Sequence, residues 1–423
     1  MSVETDDRDS AYHPDADVEI AGTEDDPGPD EQGAEQRVTW AELFFDLVWV
    51  FALTQIATSL GTAGGPMELL RTLVLLVPLW WGWTSATLVG NSAGEALDRP
   101  SGRFLLFALG ACGLAMTVAV PHAYGGHGLL FPLCYIAMRL LLWAGMRRLP
   151  LFGDLRVEPF GINLLVVCPV FLAGGLLPEP ARTLAWACAA VLEVAVPVLL
   201  GHRLDRMRFE TSHLPERFGL VIIMALGETV MSVGTKVSGS PLGAAQFAAL
   251  AVSFVVILGL WWSYFHFGAA AVRHSLRTDP VQARIVRDVF NYGHFVYVTA
   301  IICVAVGLKK LCVDPFGPPH GLPGLLLAPG AALYLLGFCY SRWRMFGAAG
   351  VSRFSAALLC LALCPLAPWL PLFVTGVLVA LVLVGLNVFE YWIVSTGRRV
   401  LFVHLPRLPR RAGNSADAAA TDR

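Results

Sequence analysis

Long apolar runs separated by short polar turns fill most of the chain. Twelve runs occupy about residues 40–61, 69–90, 101–121, 127–146, 160–178, 181–200, 218–236, 245–271, 289–308, 322–340, 350–366 and 368–395. A helix needs about 20 residues to cross a hydrocarbon layer roughly 30 Å thick. The pattern therefore predicts an all-α, polytopic integral membrane helix bundle with about 12 transmembrane helices. Only Pro365 and Pro368 part the last two runs, so residues 350–395 read either as two helices or as one broken helix.

The first run carries polar side chains that such a segment does not carry without cause. Glu42 and Asp46 stand four residues apart, so they project from one helix face, and Gln55 follows two turns later. A charge at the centre of a spanning helix costs about 2.5–3.5 kcal/mol on insertion scales. Glu42 fits either an interfacial start signal or a buried role. Asp46 lies one turn deeper and calls for a buried partner.

Two blocks carry a family likeness. Glu42-Leu-Phe-Phe-Asp-Leu-Val-Trp-Val-Phe-Ala resembles the opening signature of the bacterial low temperature requirement A (LtrA) family. His213-Leu-Pro-Glu-Arg-Phe-Gly-Leu-Val-Ile-Ile-Met-Ala-Leu-Gly-Glu-Thr229 resembles its second signature. Weaker echoes are Trp80-Trp81 with Asn91, Tyr135 with Arg139, Trp261-Trp262, and Tyr292 with His294. The likeness runs from about residue 38 to 396. It implies a polytopic membrane protein and names no chemistry. His266 and Lys309 stand where the family pattern has acidic residues.

Composition agrees with a membrane protein: 56% of residues are hydrophobic and 15% charged, against about a quarter charged in soluble domains. Residues 1–36 hold thirteen Asp or Glu and few large apolar side chains, which predicts a disordered acidic cytoplasmic tail. Residues 397–423 read as a basic, disordered cytoplasmic tail. The domain between, 38–396, divides into halves at about 38–210 and 211–396. The nine cysteines contain no C-x-x-C pair and lie mostly in apolar runs, so neither a disulfide framework nor a zinc site is expected.

Basic residues alternate from loop to loop. Loops after even-numbered runs and the C-terminal tail hold 21 Arg, whereas loops after odd-numbered runs hold only Arg71, Arg182, Lys236, Lys309 and Lys310. Positively charged loops stay inside, which predicts a cell-membrane protein with both termini cytoplasmic.

An internal echo suggests a 6+6 parallel repeat. Phe45 precedes Ala52-Leu-Thr-Gln55 at the spacing at which Phe218 precedes Ala225-Leu-Gly-Glu228, and Leu79-Trp80-Trp81 answers Leu260-Trp261-Trp262. Gln55 and Glu228 then hold matching places, with Glu228 near mid-membrane. Ser232 and Thr235 extend its polar face, and Gly227 and Gly234 are expected to let a neighbouring helix approach closely. On the ninth run His294 has Asn291 and Tyr297 three residues to either side, a polar stripe. Arg139 and Glu193 lie at similar depth on two helices that run the same way, and are expected to pair as a structural ion pair; the family pattern likewise implies a basic and an acidic residue there. Pro197, four residues past Glu193, is expected to kink its helix.

The candidate intramembrane polar site therefore comprises Glu42, Asp46, Gln55, Asn91, Glu228 and His294. No catalytic residue, metal site or cofactor is assigned, and no nucleotide loop or hydrolase elbow is present. The partners expected are the lipid bilayer and an unidentified small molecule or ion, with no nucleic acid; the oligomeric state stays open. A transporter-like protein whose carboxylates handle protons or a cation ranks first. A non-catalytic sensor or accessory protein follows, and then an intramembrane enzyme on a lipophilic substrate using Glu228, Asp46 and His294.

Overall fold

Helix α1 spans Trp40–Gly61 and starts where its own side chains complete a capping box. Thr39 Oγ1 accepts from the Glu42 amide at 3.3 Å, and Glu42 Oε2 accepts from the Thr39 amide at 3.0 Å. The computed structural model describes residues 38–148, 161–199, 201, 209–239, 241, 243–319, 321–396 and 402–404. The acidic segment 1–36 lies outside them, as does most of 397–423.

Eleven further helices follow: α2 (Pro66–Ala93), α3 (Pro100–His122), α4 (Leu130–Arg148), α5 (Asn163–Leu176), α6 (Ala181–Leu199), α7 (His213–Ser238), α8 (Ala244–Thr278), α9 (Gln282–Val313), α10 (Leu327–Phe346), α11 (Val351–Leu363) and α12 (Leu372–Ser395). Among the described residues nine are long and apolar enough to cross a membrane, fewer than the twelve expected. The exceptions have local causes. Helix α11 stops at Leu363 because Pro365 has no N–H to continue the backbone ladder to Leu361, whose carbonyl accepts from Cys364 instead. Its 13 residues reach only about 20 Å at 1.5 Å per residue. Helix α5 is another shorter apolar helix, and α10 ends in the charged run Arg342-Trp343-Arg344. Residues 350–395 form two helices joined by a turn through Ala367–Trp369.

Charged side chains mark the limits of hydropathy as a ruler. Helix α7 begins at His213, five residues before its apolar run, so Arg217 is a buried helical residue rather than a loop residue. Arg287, Arg344 and Arg353 are likewise helical and engage carboxylates: Arg287 and Arg344 flank Asp288, while Arg353 Nη2 donates to Glu390 at 2.9 Å. Beyond the helices, Ala348–Gly350 (β1) pairs antiparallel with Phe402–His404 (β2), Ala349 opposite Val403. Those three residues of the predicted C-terminal tail are thus in a strand.

Aromatic side chains form the centre. The Trp83 ring lies 5.1 Å from Phe218, Phe218 lies 4.9 Å from His294, and Tyr297 lies 4.7 Å from Phe338. Edge-on and tilted pairs of this kind add about 0.5–1.5 kcal/mol beyond area burial. Close helix approach occurs between α9 and α10, where a Cβ on Gly330 would sit 2.9 Å from the Val304 backbone nitrogen. Gly227 and Gly234 do not serve this purpose. A Cβ on either would meet nothing within 4 Å, because that face of α7 is turned outward.

Candidate functional site

Two buried polar clusters occupy the bundle, and they differ in how completely their atoms are paired. The first assembles where the N-terminal turns of α1 and α7 meet the C-terminal end of α2. Glu42 and Asp46 come from α1 at a spacing of four, and His213 and Arg217 come from α7 at the same spacing. The two faces therefore meet in register, acid against base. All four residues are at most 3% exposed. Arg217 Nη2 donates to Asp46 Oδ1 at 2.9 Å and to Thr87 Oγ1 at 3.3 Å. Trp83 Nε1 also donates to Asp46 Oδ1, at 3.0 Å, and its ring lies 5.8 Å from the guanidinium carbon.

The hydrogen-bond roles of His213 follow from the backbone. Asn91 Oδ1 accepts from the Glu210 amide at 3.0 Å, which orients the side-chain amide. Asn91 Nδ2 then donates to the Glu210 carbonyl and, at 3.2 Å, to His213 Nδ1. With Nδ1 accepting, the ring proton is on Nε2, which donates to Glu42 Oε2 at 3.2 Å. Gly90 leaves room for this carboxylate: a Cβ there would lie 3.1 Å from Glu42 Oε1.

The pairing is incomplete. Glu42 Oε1, Asp46 Oδ2, Arg217 Nε and Arg217 Nη1 are buried without a hydrogen-bond partner. The nearest approach is Arg217 Nε to Glu42 Oε1, at 3.9 Å, beyond hydrogen-bond length. Two acceptors and two donors left bare in one small volume are costly in a low dielectric.

The second cluster is fully paired. Arg139 on α4 donates through Nη2 to Glu193 on α6, through Nε to Tyr135 Oη at 2.8 Å, and through Nη1 to Ser85 Oγ at 2.8 Å. Glu193 accepts also from Tyr135 Oη and, at 2.7 Å, from Asn163 Nδ2. Asn163 opens a widened, π-type turn at Asn163–Val167, the kind of irregularity that re-aims a side chain. This cluster joins α2, α4, α5 and α6 and leaves none of these side-chain atoms bare.

The remaining sequence candidates lie apart from both. Gln55 is half-buried on α1, nine residues past Asp46. Glu228 is buried on α7, eleven residues or about 16 Å beyond Arg217; it accepts from Ser232 Oγ at 2.6 Å and feels the charge of Lys309. His294 is enclosed and satisfied at both ring nitrogens. A π-type turn at Val286–Gly293 brings the Val289 carbonyl to Nδ1 at 2.9 Å, and Tyr264 Oη lies 2.7 Å from Nε2. Its expected stripe does not act as one unit. Asn291 bonds Trp80, and Tyr297 bonds Ser341. Only Glu42, Asp46 and Asn91 of the six candidates come together. His213 and Arg217 complete their site and were not singled out from sequence. Their signal was present: a basic pair at the spacing of the Glu42–Asp46 pair, each at the start of an apolar run. Among the described residues, no group of three or more His, Cys, Asp or Glu side chains is placed to hold a metal ion.

Residues 37–388 match the family described as Bacterial low temperature requirement A protein (LtrA). The chain belongs to the LtrA family. A relative in Rhizobium meliloti (strain 1021), the uncharacterized protein RA0937, is 27% identical over 376 residues, covering 85% of this chain and 90% of its own. No solved structure matches the chain. Both blocks that supply the Glu42–Asp46 and His213–Arg217 faces fall inside the LtrA match. With nine candidate spans among the described residues, this LtrA chain is a multi-pass membrane protein.

Proposed function

We propose that this LtrA protein is a transporter-like cell-membrane protein whose buried carboxylates carry protons or bind a cation. The observation that carries the reading is the Glu42–Asp46–Arg217 cluster. It holds two carboxylates against one guanidinium, with four polar atoms bare, between helices of the two sequence halves. A purely structural polar core has no need of bare atoms, and the Arg139–Glu193 cluster is the contrast within the same molecule.

Packing supports the parallel 6+6 repeat that such a carrier would use. In the first half α1 packs on α2 and α3, α3 on α4, α4 on α5, α5 on α6, and α2 on α6. In the second half α7 packs on α8 and α9, α9 on α10, α10 on α11, α11 on α12, and α8 on α12. Each relation recurs six helices later. Six is even, so the halves share one orientation about an axis along the membrane normal. In this reading α5, α10 and α11 complete twelve membrane segments. The arrangement Glu193 to Asn163 between α6 and α5 also has a counterpart in Glu390 to Ser352 and Arg353 between α12 and α11.

The enzyme reading fares less well on geometry. An apolar groove of about 1040 Å³ lies between α11 and α12 and would suit a lipophilic molecule. None of Glu228, Asp46 or His294 lines it.

Purified protein in liposomes, with a pH dye inside and an imposed proton or sodium gradient, tests the proposal. Wild-type vesicles should dissipate a gradient faster than empty ones, and Asp46→Asn and Glu228→Gln should fold and lose that flux. Wild-type vesicles no leakier than empty ones under every ion gradient would remove the transport reading.

Orientation is separately testable. Both termini are proposed to be cytoplasmic, since the four helical arginines that engage carboxylates account for few of the 21 on that side. Single cysteines at Gly126 and at exposed Arg103 should label from outside and inside respectively, in a background lacking the nine native cysteines. Labelling of position 126 from the cytoplasm alone would reverse the assignment.

A further inference from the structure

The Glu42–Asp46 cluster has a charge that does not balance. Its titratable members are Glu42 and Asp46 on α1 and His213 and Arg217 on α7. Helix α2 contributes only Trp83, Thr87 and Asn91, none of them charged. Glu210, in the connection before α7, meets the cluster through its backbone, and its carboxylate accepts from Ser212 instead. With both carboxylates ionised and a neutral imidazole, the cluster carries one negative charge in excess, sealed from solvent.

We propose that Glu42 and Asp46 hold one exchangeable proton between them, and that a proton rather than a metal cation is what this site takes; the inference rests on the transport reading and names its ion. Three observations carry it. The two bare carboxylate oxygens, Glu42 Oε1 and Asp46 Oδ2, belong to residues one turn apart on one face, and neither accepts a hydrogen bond from any donor among the described residues. A metal cation wants about six oxygen ligands, and this site offers two bare ones beside a guanidinium that repels any second cation. The third is a hydrogen-bonded row that leads from the carboxylates through an imidazole towards the connection before α7. Glu42 Oε2 accepts from His213 Nε2, His213 Nδ1 accepts from Asn91, and Asn91 clasps the Glu210 backbone just outside the helices. The imidazole is the one group in this row that takes a proton on one nitrogen and releases one from the other.

Uptake is balanced simply. A proton arriving at His213 Nδ1 forms the imidazolium, Nε2 passes its own proton to Glu42 Oε2, the Glu42 carboxyl turns to offer that hydrogen to Asp46 Oδ2, and the ring returns to neutrality as the other tautomer. That tautomer puts an N–H against the Asn91 amide, so Asn91 must turn its carbonyl to the ring and release the Glu210 amide. Each proton taken up thereby loosens the tie between α2 and the connection joining the two halves.

Infrared difference spectroscopy of the purified protein reads the proton directly. The wild type should show the C=O stretch of a protonated carboxyl, shifted in deuterium oxide. Glu42→Gln and Asp46→Asn should each remove that band, and the double variant should remove no more than either single. The thermal midpoint in lithium, sodium, potassium and choline chloride at equal ionic strength should be the same. The double variant leaves Arg217 without an anion and should unfold earlier than either single, a check that all three groups form one unit. A band unchanged by both single variants would overturn the proposal. So would a saturable rise in midpoint with sodium that Asp46→Asn abolishes; that result would leave transport intact and change its ion. Loss of the band in both variants without flux in liposomes would keep the proton site and remove transport.

Discussion

Arg139→Leu and Glu193→Leu should each sharply lower the yield of folded protein, while the double variant recovers part of the loss. Both side chains are enclosed, and among the described residues each supplies the other's only formal countercharge. Removing one member of a buried pair costs about 3–5 kcal/mol, because the survivor stays buried and uncompensated. Within a total stability of about 5–15 kcal/mol that is a large share. In the Glu193 variant the guanidinium keeps Ser85 and Tyr135 but no anion. In the Arg139 variant the carboxylate keeps Tyr135 and Asn163 but no cation. Two leucines remove both charges, leaving Tyr135, Asn163 and Ser85 as the polar residue of the site. The double loss should therefore be smaller than the sum of the singles, as expected for groups in one network. Monodisperse yield in detergent and the thermal midpoint decide it. Additive losses would mean that the two charges are held independently.

Much of the architecture is legible in the sequence because the membrane forces it. Backbone groups in hydrocarbon must be paired within helices, so apolar runs and their proline breaks locate the helices, with ends that differ by up to seven residues, as at Gln282 of α9. What hydropathy misreads is where a helix enters through polar residues. His213 and Arg217 look like loop because they are charged or polar, yet they are the first turns of α7. The partner that keeps Arg217 inside is Asp46, 171 residues earlier, and nothing local announces a contact at that separation. Glu42 and Asp46 were legible as an expensive pair needing an explanation. Their explanation was not, since it lies in another helix.

Other misreadings share this cause. Small residues at helical spacing on α7 suggested a packed face, but spacing defines a face without saying which way it points, and Gly227 and Gly234 point outward. His294, Asn291 and Tyr297 sit three apart and suggested one stripe. The π-type turn at Val286–Gly293 shifts Asn291 out of register with His294 and leaves it on Trp80, whereas His294 and Tyr297 keep ring contact at 5.3 Å but bond to different helices. Such turns insert a residue without any mark in the pattern of apolar positions. Pro197 by contrast lies within α6, as its position in the run suggests, one turn beyond Glu193.

The largest effect at the candidate site is expected from Arg217→Gln, which should cost more stability than any single change of the carboxylates it faces. Arg217 is the fifth residue of α7, close to the positive end of that helix, where a cation is disfavoured by the aligned peptide dipoles. It stays there because Asp46 Oδ1 accepts from it at 2.9 Å, with Glu42 beyond, and because the Trp83 face lies 5.8 Å from its guanidinium carbon. Replacing it with a neutral amide leaves two buried carboxylates one turn apart with no cation. The cost should approach about 3–5 kcal/mol for the orphaned charge. Lysine keeps the charge but not the planar guanidinium that lies over the Trp83 ring while its Nη2 meets Asp46 and Thr87, so Arg217→Lys should recover only part. The sharper control is the triple variant Arg217→Gln, Glu42→Gln, Asp46→Asn. It keeps the shapes of the two acidic side chains, carries the same shortened residue at 217 and removes every charge of the three, so it should unfold later than Arg217→Gln alone although it carries three substitutions. Thermal unfolding of the four proteins in one detergent measures this order. If Arg217→Gln melts with the wild type, the guanidinium is not holding the two carboxylates. If the triple variant melts below Arg217→Gln, what the cluster contributes is hydrogen bonding rather than charge.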